Sequence, residues 1–267
     1  MELDPNAAPA AQKPLAVVLL SGGMDSLAAA GVARRDGFDL ALVHFNYGQR
    51  TEEAELRAFT RLADYLEVPA TRRLVVHTNF FSLVGSSALT DRSIAVPRAD
   101  LDSTVIPFTY VPFRNAVLLS MAVGWAETLR ARAVYYGAVS QDSSGYPDCR
   151  PEFVEAFNAL VERGTRPGGG IAVRAPLVEL TKAQIVRLAS DLQLPLALTW
   201  SCYARNDRAC GVCDSCALRL RGFEQAGLAD PLPYGETRAG APLLSASERA
   251  ARVRRLAVLM RALTRPA

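Results

Sequence analysis

Long apolar runs are missing from this chain, and no stretch approaches the roughly 18–20 residues that a membrane-spanning helix requires. The start, Met1 to Pro14, is acidic and then rich in Ala and Pro. It lacks the basic segment and apolar core of a secretion signal. These absences predict a cytoplasmic protein with no membrane partner and a disordered leader over residues 1–13. Charge of one sign is scarce as well. The formal net charge is +3, too small for a broad nucleic-acid footprint. Lysine is nearly absent, with only Lys13 and Lys182 among 30 basic residues, a bias that a GC-rich coding sequence explains. No internal repeat is visible.

What remains is an ordinary globular balance, with 50% hydrophobic and 21% charged residues over 267 positions. That length can bury a core without disulfides. Leu15 to Leu20, Phe38 to Phe45, Arg73 to His77, Ala133 to Val139 and Ile171 to Val173 read as strands. Helical patterns over Ser26–Arg35, Arg50–Leu66, Asn115–Arg132 and Pro151–Arg163 separate them. Apolar strands alternating with helices predict an α/β fold: a Rossmann-like, five-stranded parallel sheet with helices on both faces. Thr181 with Gln184 three residues on reads as a capping box opening a further helix. Residues 78–112 are irregular and read as a long active-site loop.

The segment Ser21-Gly22-Gly23-Met24-Asp25-Ser26 lies between the first strand and the first helix. Glycines let the backbone approach phosphate oxygens, and a helix N-terminus offers free N–H groups and a favourable dipole. Ser21 and Ser26 add hydroxyl donors. Asp25 suits Mg²⁺ or a helix cap. The loop has neither the Gly-Lys-[Ser/Thr] ending of the common P-loop nor G-x-G-x-x-G.

This order of residues resembles the PP-loop of the ATP pyrophosphatase superfamily, which cleaves ATP between the α and β phosphates and adenylates a substrate oxygen. Further segments narrow the resemblance: Phe45-Asn46-Tyr47-Gly48-Gln49-Arg50, Val111-Pro112-Phe113-Arg114-Asn115, Ser144-Gly145-Tyr146-Pro147-Asp148-Cys149-Arg150 and Thr199-Trp200-Ser201-Cys202-Tyr203. From Leu15 to Gly227 the chain resembles the 7-cyano-7-deazaguanine synthase family, nitrile-forming ligases of queuosine biosynthesis. The resemblance implies conversion of 7-carboxy-7-deazaguanine, ammonia and ATP to the nitrile. AMP and diphosphate are released through adenylation, amide formation and a second adenylation. It places ATP, with Mg²⁺, on Leu19, Leu20, Ser21, Gly22, Gly23, Met24, Asp25, Ser26, Leu27 and Ala28. Asp25 and Arg114 become the catalytic candidates. Tyr146, Asp148, Arg150 and Lys182 become substrate-binding candidates, although a solvated Lys182 is an equal alternative. A homodimer is implied too. His44 reads as a packed core histidine and Cys149 as structural.

Cys202, Cys210, Cys213 and Cys216 follow a C-x7-C-x2-C-x2-C spacing. Four thiolates so close can wrap one tetrahedral Zn²⁺, and a four-thiolate site leaves no place for water, so the metal would be structural. The resemblance assigns one zinc per chain to the same residues. An iron–sulfur cluster is the rival. The expected organisation is an ATP-binding domain over 14–196, a zinc segment over 197–230 and a basic helical extension over 231–267. The extension carries an amphipathic helix from Ser247 to Leu263. A PP-loop tRNA-modifying enzyme of thiolation or lysidine type is the alternative function. A non-catalytic zinc-stabilised binding module is a third, against which the polar segments at strand ends speak. No direct nucleic-acid contact is expected on the leading reading.

Overall fold

A computed structural model describes residues 13–101, 105–140 and 146–235. The leader through residue 12, the Ser144-Gly145 pair and the helix expected over 247–263 lie outside the described residues. Five strands form one parallel sheet: β1 (Leu15–Leu19), β2 (Asp39–Asn46), β3 (Arg73–His77), β4 (Ala133–Tyr135) and β5 (Ala172–Arg174). Their order is β3-β2-β1-β4-β5. Val17 of β1 stands opposite Ala41 on one side and Val134 on the other.

The alternation along β1 distributes the core. Ala16, Val18 and Leu20 face α1 (Met24–Arg35) and α2 (Glu52–Tyr65), meeting Leu27, Ala30, Phe59 and Leu62. Val17 faces α4 (Arg114–Thr128) and α5 (Pro151–Gly164), meeting Leu119, Ala122 and Val161. Because both of its faces are covered, the central strand β1 is apolar throughout. Leu27, Leu62 and Leu119 are fully buried. Each contributes about 1.5–3 kcal/mol by leaving water.

A third layer lies behind α1, which explains its run of alanines. α6 (Lys182–Asp191) and α7 (Asp214–Ala226) pack there through Ile185, Val186 and Phe223, joined by Leu177 from the turn before α6, against Met24, Ala28 and Ala29. Helix α1 is therefore buried between sheet and α6, with Ala28 and Ala29 on the side that meets α6. The capping box of α6 forms as expected, with Gln184 N donating to Thr181 Oγ1 and Thr181 N donating to Gln184 Oε1.

Several elements differ from the sequence reading, helix α4 among them, which ends at Thr128 rather than Arg132. Helix α1 begins at Met24, two residues early, because extended Gly23 serves as its N-cap. Strand β4 stops at Tyr135, where the chain turns over the phosphate loop. Helix α7 was not anticipated, since its apolar positions are interleaved with arginines and metal-site cysteines. Among its described residues, the irregular stretch 78–112 holds one short helix, α3 (Phe80–Val84). The chain from β1 steps outward to β2 and β3, then crosses back to β4 on the other side of β1. Such a reversal opens a crevice at the carboxyl ends of the two central strands.

Candidate active site and metal centre

The crevice is a cavity whose wall includes Ser21, Asp25, Glu55, Arg114, Tyr146 and Lys182. Its floor is the phosphate loop. Gly22 has φ +92°, and a Cβ there would stand 2.6 Å from the carbonyl oxygen of Glu55, so only glycine fits between loop and α2. No side chain caps the N-terminus of α1. Ser26 Oγ donates to Gly23 O at 2.9 Å, and Ser21 Oγ donates to Ser26 Oγ at 3.1 Å. Leu19, Ser21, Gly23, Met24, Asp25 and Ser26 line the cavity. Leu20, Leu27 and Ala28 instead anchor the loop in the core.

Gly137, just past β4, rests on the same loop. A Cβ at Gly137 would lie 2.6 Å from the carbonyl carbon of Asp25 and 2.7 Å from Ser26 N. The absence of a side chain is what lets the β4 end close over the first turn of α1.

Lys182 is 9% exposed and points at the loop. Its Nζ donates to Asp25 Oδ2 at 2.6 Å, while Asp25 Oδ1 is buried without a hydrogen-bond partner among the described residues. The contact requires α7 to pass close to α6: a Cβ on Gly222 would sit 2.7 Å from Lys182 Cβ. Burial removes the solvated alternative for this lysine.

A chamber rich in phenols occupies the α4 side. Phe113 adopts a left-handed conformation, φ 56°, immediately before α4. Arg114 follows, and its Nη1 donates to the Tyr47 hydroxyl at 2.9 Å. The Tyr146 and Thr109 hydroxyls share a hydrogen bond at 3.0 Å. Burial opposes the Arg114 charge, but the neighbouring oxygens of Tyr47, Tyr146, Tyr203 and Asp148 outweigh it and raise its pKa. Burial also raises the pKa of Tyr47, Tyr146 and Tyr203, so these phenols stay neutral hydrogen-bonding groups. Glu55 is half-buried at the edge of the cavity. Burial raises its pKa against the pull of hydrogen bonds from Thr51 and Gln49.

The remaining candidates separate. Asp148 does not line the cavity; its Oδ2 accepts the Asn115 backbone N–H at 2.9 Å and so pins the start of α4. Arg150 is exposed at the N-cap of α5 and is also absent from the wall. Cys149 is buried and accepts from Asn115 Nδ2, with burial pushing its thiol up to about 11, in keeping with a structural role. His44 is buried between Leu20 O and Asn46 Oδ1, each 3.0 Å from a ring nitrogen. Sequence reasoning gave no role to Glu55, Tyr136, Ser201 or Arg219, all of which reach the cavity. Tyr47 and Trp200 stood within quoted segments without assigned roles. Glu55 carries no sequence signal beyond its place on an amphipathic helix.

The four cysteines converge as their spacing predicts. Their sulfurs all lie within 4.8 Å of one another, with Cys210 and Cys216 3.9 Å apart. Tetrahedral zinc with Zn–S of about 2.3 Å needs sulfurs about 3.8 Å apart, so the set fits that ion. Backbone N–H groups of Ala204 and Cys210 point to Cys202 Sγ, and those of Val212 and Cys213 to Cys210 Sγ. Such bonds favour thiolates. Cys213 is the N-cap of α7, which then delivers Cys216 one turn on.

The metal segment is tied to the cavity by Arg219, 2% exposed. It makes a two-pronged bond to Asp230 at 2.8 and 2.9 Å and donates to Thr199 Oγ1 and Ser201 Oγ. Trp200 N donates to Gly22 O at 2.8 Å, so the same segment clasps the phosphate loop. Residues 231–235 continue it: Ala209 bridges to Tyr234, whose hydroxyl donates to Asp230.

Fold and site together define a class, an α/β protein with a glycine-rich strand–helix loop at its switch point and, beside it, a four-cysteine cluster that could hold a metal ion. The chain belongs to the family described as queuosine biosynthesis protein QueC, whose model matches residues 15–227. It is 52% identical over 219 residues to a 7-cyano-7-deazaguanine synthase of Chlorobium phaeobacteroides, covering 82% of this chain and 96% of that one. With the corresponding synthase of Koribacter versatilis it shares 56% identity over 228 residues, covering 84% and 95%. Among solved structures, it is similar to a 4-thiouridine synthetase–RNA complex with bound ATP, with 18% identity and a TM-score of 0.42. That match covers 80% of this chain and 50% of the other. NMN synthetase from Francisella tularensis matches at 15% identity and TM-score 0.42, covering 82% and 89%. No helix among the described residues is long and apolar enough to cross a membrane.

Proposed function

We propose that this protein makes 7-cyano-7-deazaguanine from 7-carboxy-7-deazaguanine, ammonia and ATP. The carrying observation is that one cavity is lined both by the loop Ser21–Ser26 and by the chamber of Arg114, Tyr47 and Tyr146. A nucleotide phosphate and a flat polar ring can therefore meet in a shared space. The relatives' name supplies the ring.

A carboxylate resists attack by ammonia because oxide is a poor leaving group. In the proposed sequence its oxygen attacks the α-phosphorus of ATP and diphosphate departs. Ammonia adds to the acyl carbon, AMP departs, and an amide results. The amide oxygen attacks the α-phosphorus of a second ATP, and a second diphosphate departs. Loss of AMP and of the nitrogen protons leaves the nitrile, and both carboxylate oxygens end up in AMP.

The N–H groups at the head of α1, with Ser21 and Ser26, hold phosphate oxygens. Lys182 and Arg114 offset the charge that grows on them. The unpartnered Oδ1 of Asp25 suits the Mg²⁺ that accompanies ATP, whose charge would lower the repulsion between phosphates. Tyr146 contacts the ring and Asp148 acts through the start of α4, whereas Arg150 stays outside the contact set because of its exposure. Zn²⁺ on Cys202, Cys210, Cys213 and Cys216 would hold the Trp200 segment in shape. A homodimer rests on the family alone.

The test is incubation of zinc-loaded protein with ATP, Mg²⁺, ammonia and the carboxylic acid, with AMP and nitrile followed by mass spectrometry. Folded protein that yields neither product overturns the reading.

A further inference from the structure

We propose that the Tyr136 hydroxyl is a binding contact for the carboxylic-acid substrate, a position that no motif in the sequence marks. The inference rests on the function proposed above and adds to it a residue that decides how tightly the ring is held.

Tyr136 is 4% exposed and lines the cavity. Its hydroxyl is buried and has no hydrogen-bond partner among the described residues. Buried hydroxyls are nearly always bonded, and one left unmet weakens the fold. A group that persists in this state beside a cavity is best explained by a partner that arrives with the ligand.

Strand alternation decides where the hydroxyl goes. Tyr135 turns to the α1 face, where its hydroxyl donates to Asp36 Oδ2 at 2.7 Å. Tyr136 turns to the α4 face, into the core that holds Tyr146 and Cys149. The next residue, Gly137, lies on the loop backbone at Asp25 and Ser26. Tyr136 therefore stands one residue from the phosphate loop yet projects into the phenol-lined chamber. That placement favours the acid over ATP as its partner. The neighbouring Cys149 sulfur already accepts from Asn115, and Asp148 is taken up by the Asn115 backbone. A ring nitrogen, ring carbonyl or carboxylate oxygen of the acid supplies the missing bond.

The test is Tyr136→Phe, which keeps the ring and deletes only the hydroxyl. We expect KM for the acid to rise about tenfold, the loss of one hydrogen bond, while KM for ATP stays within about twofold. Calorimetry of the acid alone should show the same loss of affinity. The Tm of the ligand-free variant should be unchanged or higher, because an unmet polar group has been removed. Unchanged affinity for the acid, a shift in the ATP constant instead, or a lower ligand-free Tm would each overturn the proposal. Wild-type protein that makes no nitrile sinks the functional reading and this inference with it. An active wild type with an indistinguishable variant sinks this inference alone.

Discussion

Lys182 Nζ and Asp25 Oδ2 lie 2.6 Å apart, joining the first turn of α6 to the first turn of α1 across 157 residues of sequence. The pair sets opposite charges at two helix N-termini. The carboxylate is favoured by the dipole of α1, whereas the ammonium is disfavoured by that of α6. Lys182 is therefore held where its own helix does not want it, at the edge of the loop that would receive phosphate.

Lys182→Met should lower diphosphate release by about 10²–10³-fold, the usual cost of deleting one donor that meets developing charge. Zinc content and far-ultraviolet circular dichroism should not change. Asp25→Asn should cut turnover sharply as well, since it keeps an acceptor for Lys182 but loses the charge that suits Mg²⁺. Turnover within about threefold of wild type in Lys182→Met would show that the lysine serves only to hold Asp25.

Removing the metal should damage the active site without touching it directly. The cysteine segment clasps the phosphate loop through Trp200 N and Gly22 O. We expect Cys213→Ser to lose stoichiometric zinc by elemental analysis, to melt lower and to bind ATP weakly. Chelated wild type should behave in the same way, because a structural zinc contributes folding free energy. Purified wild type that shows the visible absorption of an iron–sulfur cluster would refute the zinc assignment.

The Arg219–Asp230 pair is almost wholly buried, with side chains 2% and 4% exposed. Arg219→Met leaves the Asp230 charge alone in the interior and should cost about 3–5 kcal/mol in denaturant unfolding. Arg219→Met combined with Asp230→Leu should recover much of that loss, since an apolar pair of similar volume is often neutral or better. If the double variant is as unstable as the single one, the arginine matters through Thr199 and Ser201 instead.

His44 gives the acid side of the stability profile. Burial, the largest influence, lowers its pKa below 6.5, against weaker opposition from Leu20 O and Asn46. Its folded pKa is depressed, so the stabilisation is full above about pH 6.5 and is lost as pH falls toward the folded value. The slope is at most about 1.4 kcal/mol per pH unit. Glu55 works in the opposite sense: burial raises its pKa, so its contribution is present at low pH and is lost as pH rises through the folded value. Comparing wild type with His44→Gln cancels the Glu55 contribution. The gap between their unfolding free energies should shift in favour of the variant below pH 6.5, and parallel profiles would refute the assignment.

The parallel sheet was legible because its signals are local: apolar runs of strand length, glycine turns and the Thr181 capping box act over a few residues. The four-cysteine cluster was legible for the same reason, since four cysteines within fifteen residues need only a turn and a helix start to converge. Helix α7 was not, because its buried face at i, i+3 and i+7 carries Cys216, Arg219 and Phe223, and a cysteine and an arginine in that stripe hide its apolar period. Strand β4 was read too long because the apolar run continues to Val139. Nothing in the run shows that Gly137 leaves the sheet to lie on Asp25.

The amino-acid sequence by itself determined the strand–loop–helix that can hold phosphate, the family resemblance and the clustering of the four cysteines. Tertiary structure alone decided that Lys182 is buried against Asp25, that Arg219 is neutralised by Asp230, and that Tyr136 rather than Arg150 lines the chamber. The physical reason is distance along the chain. Turns, caps and clustered ligands are set by neighbours a few residues apart. The partner of a buried charge or hydroxyl is set by which helix packs over which strand end, and only the assembled layers specify that.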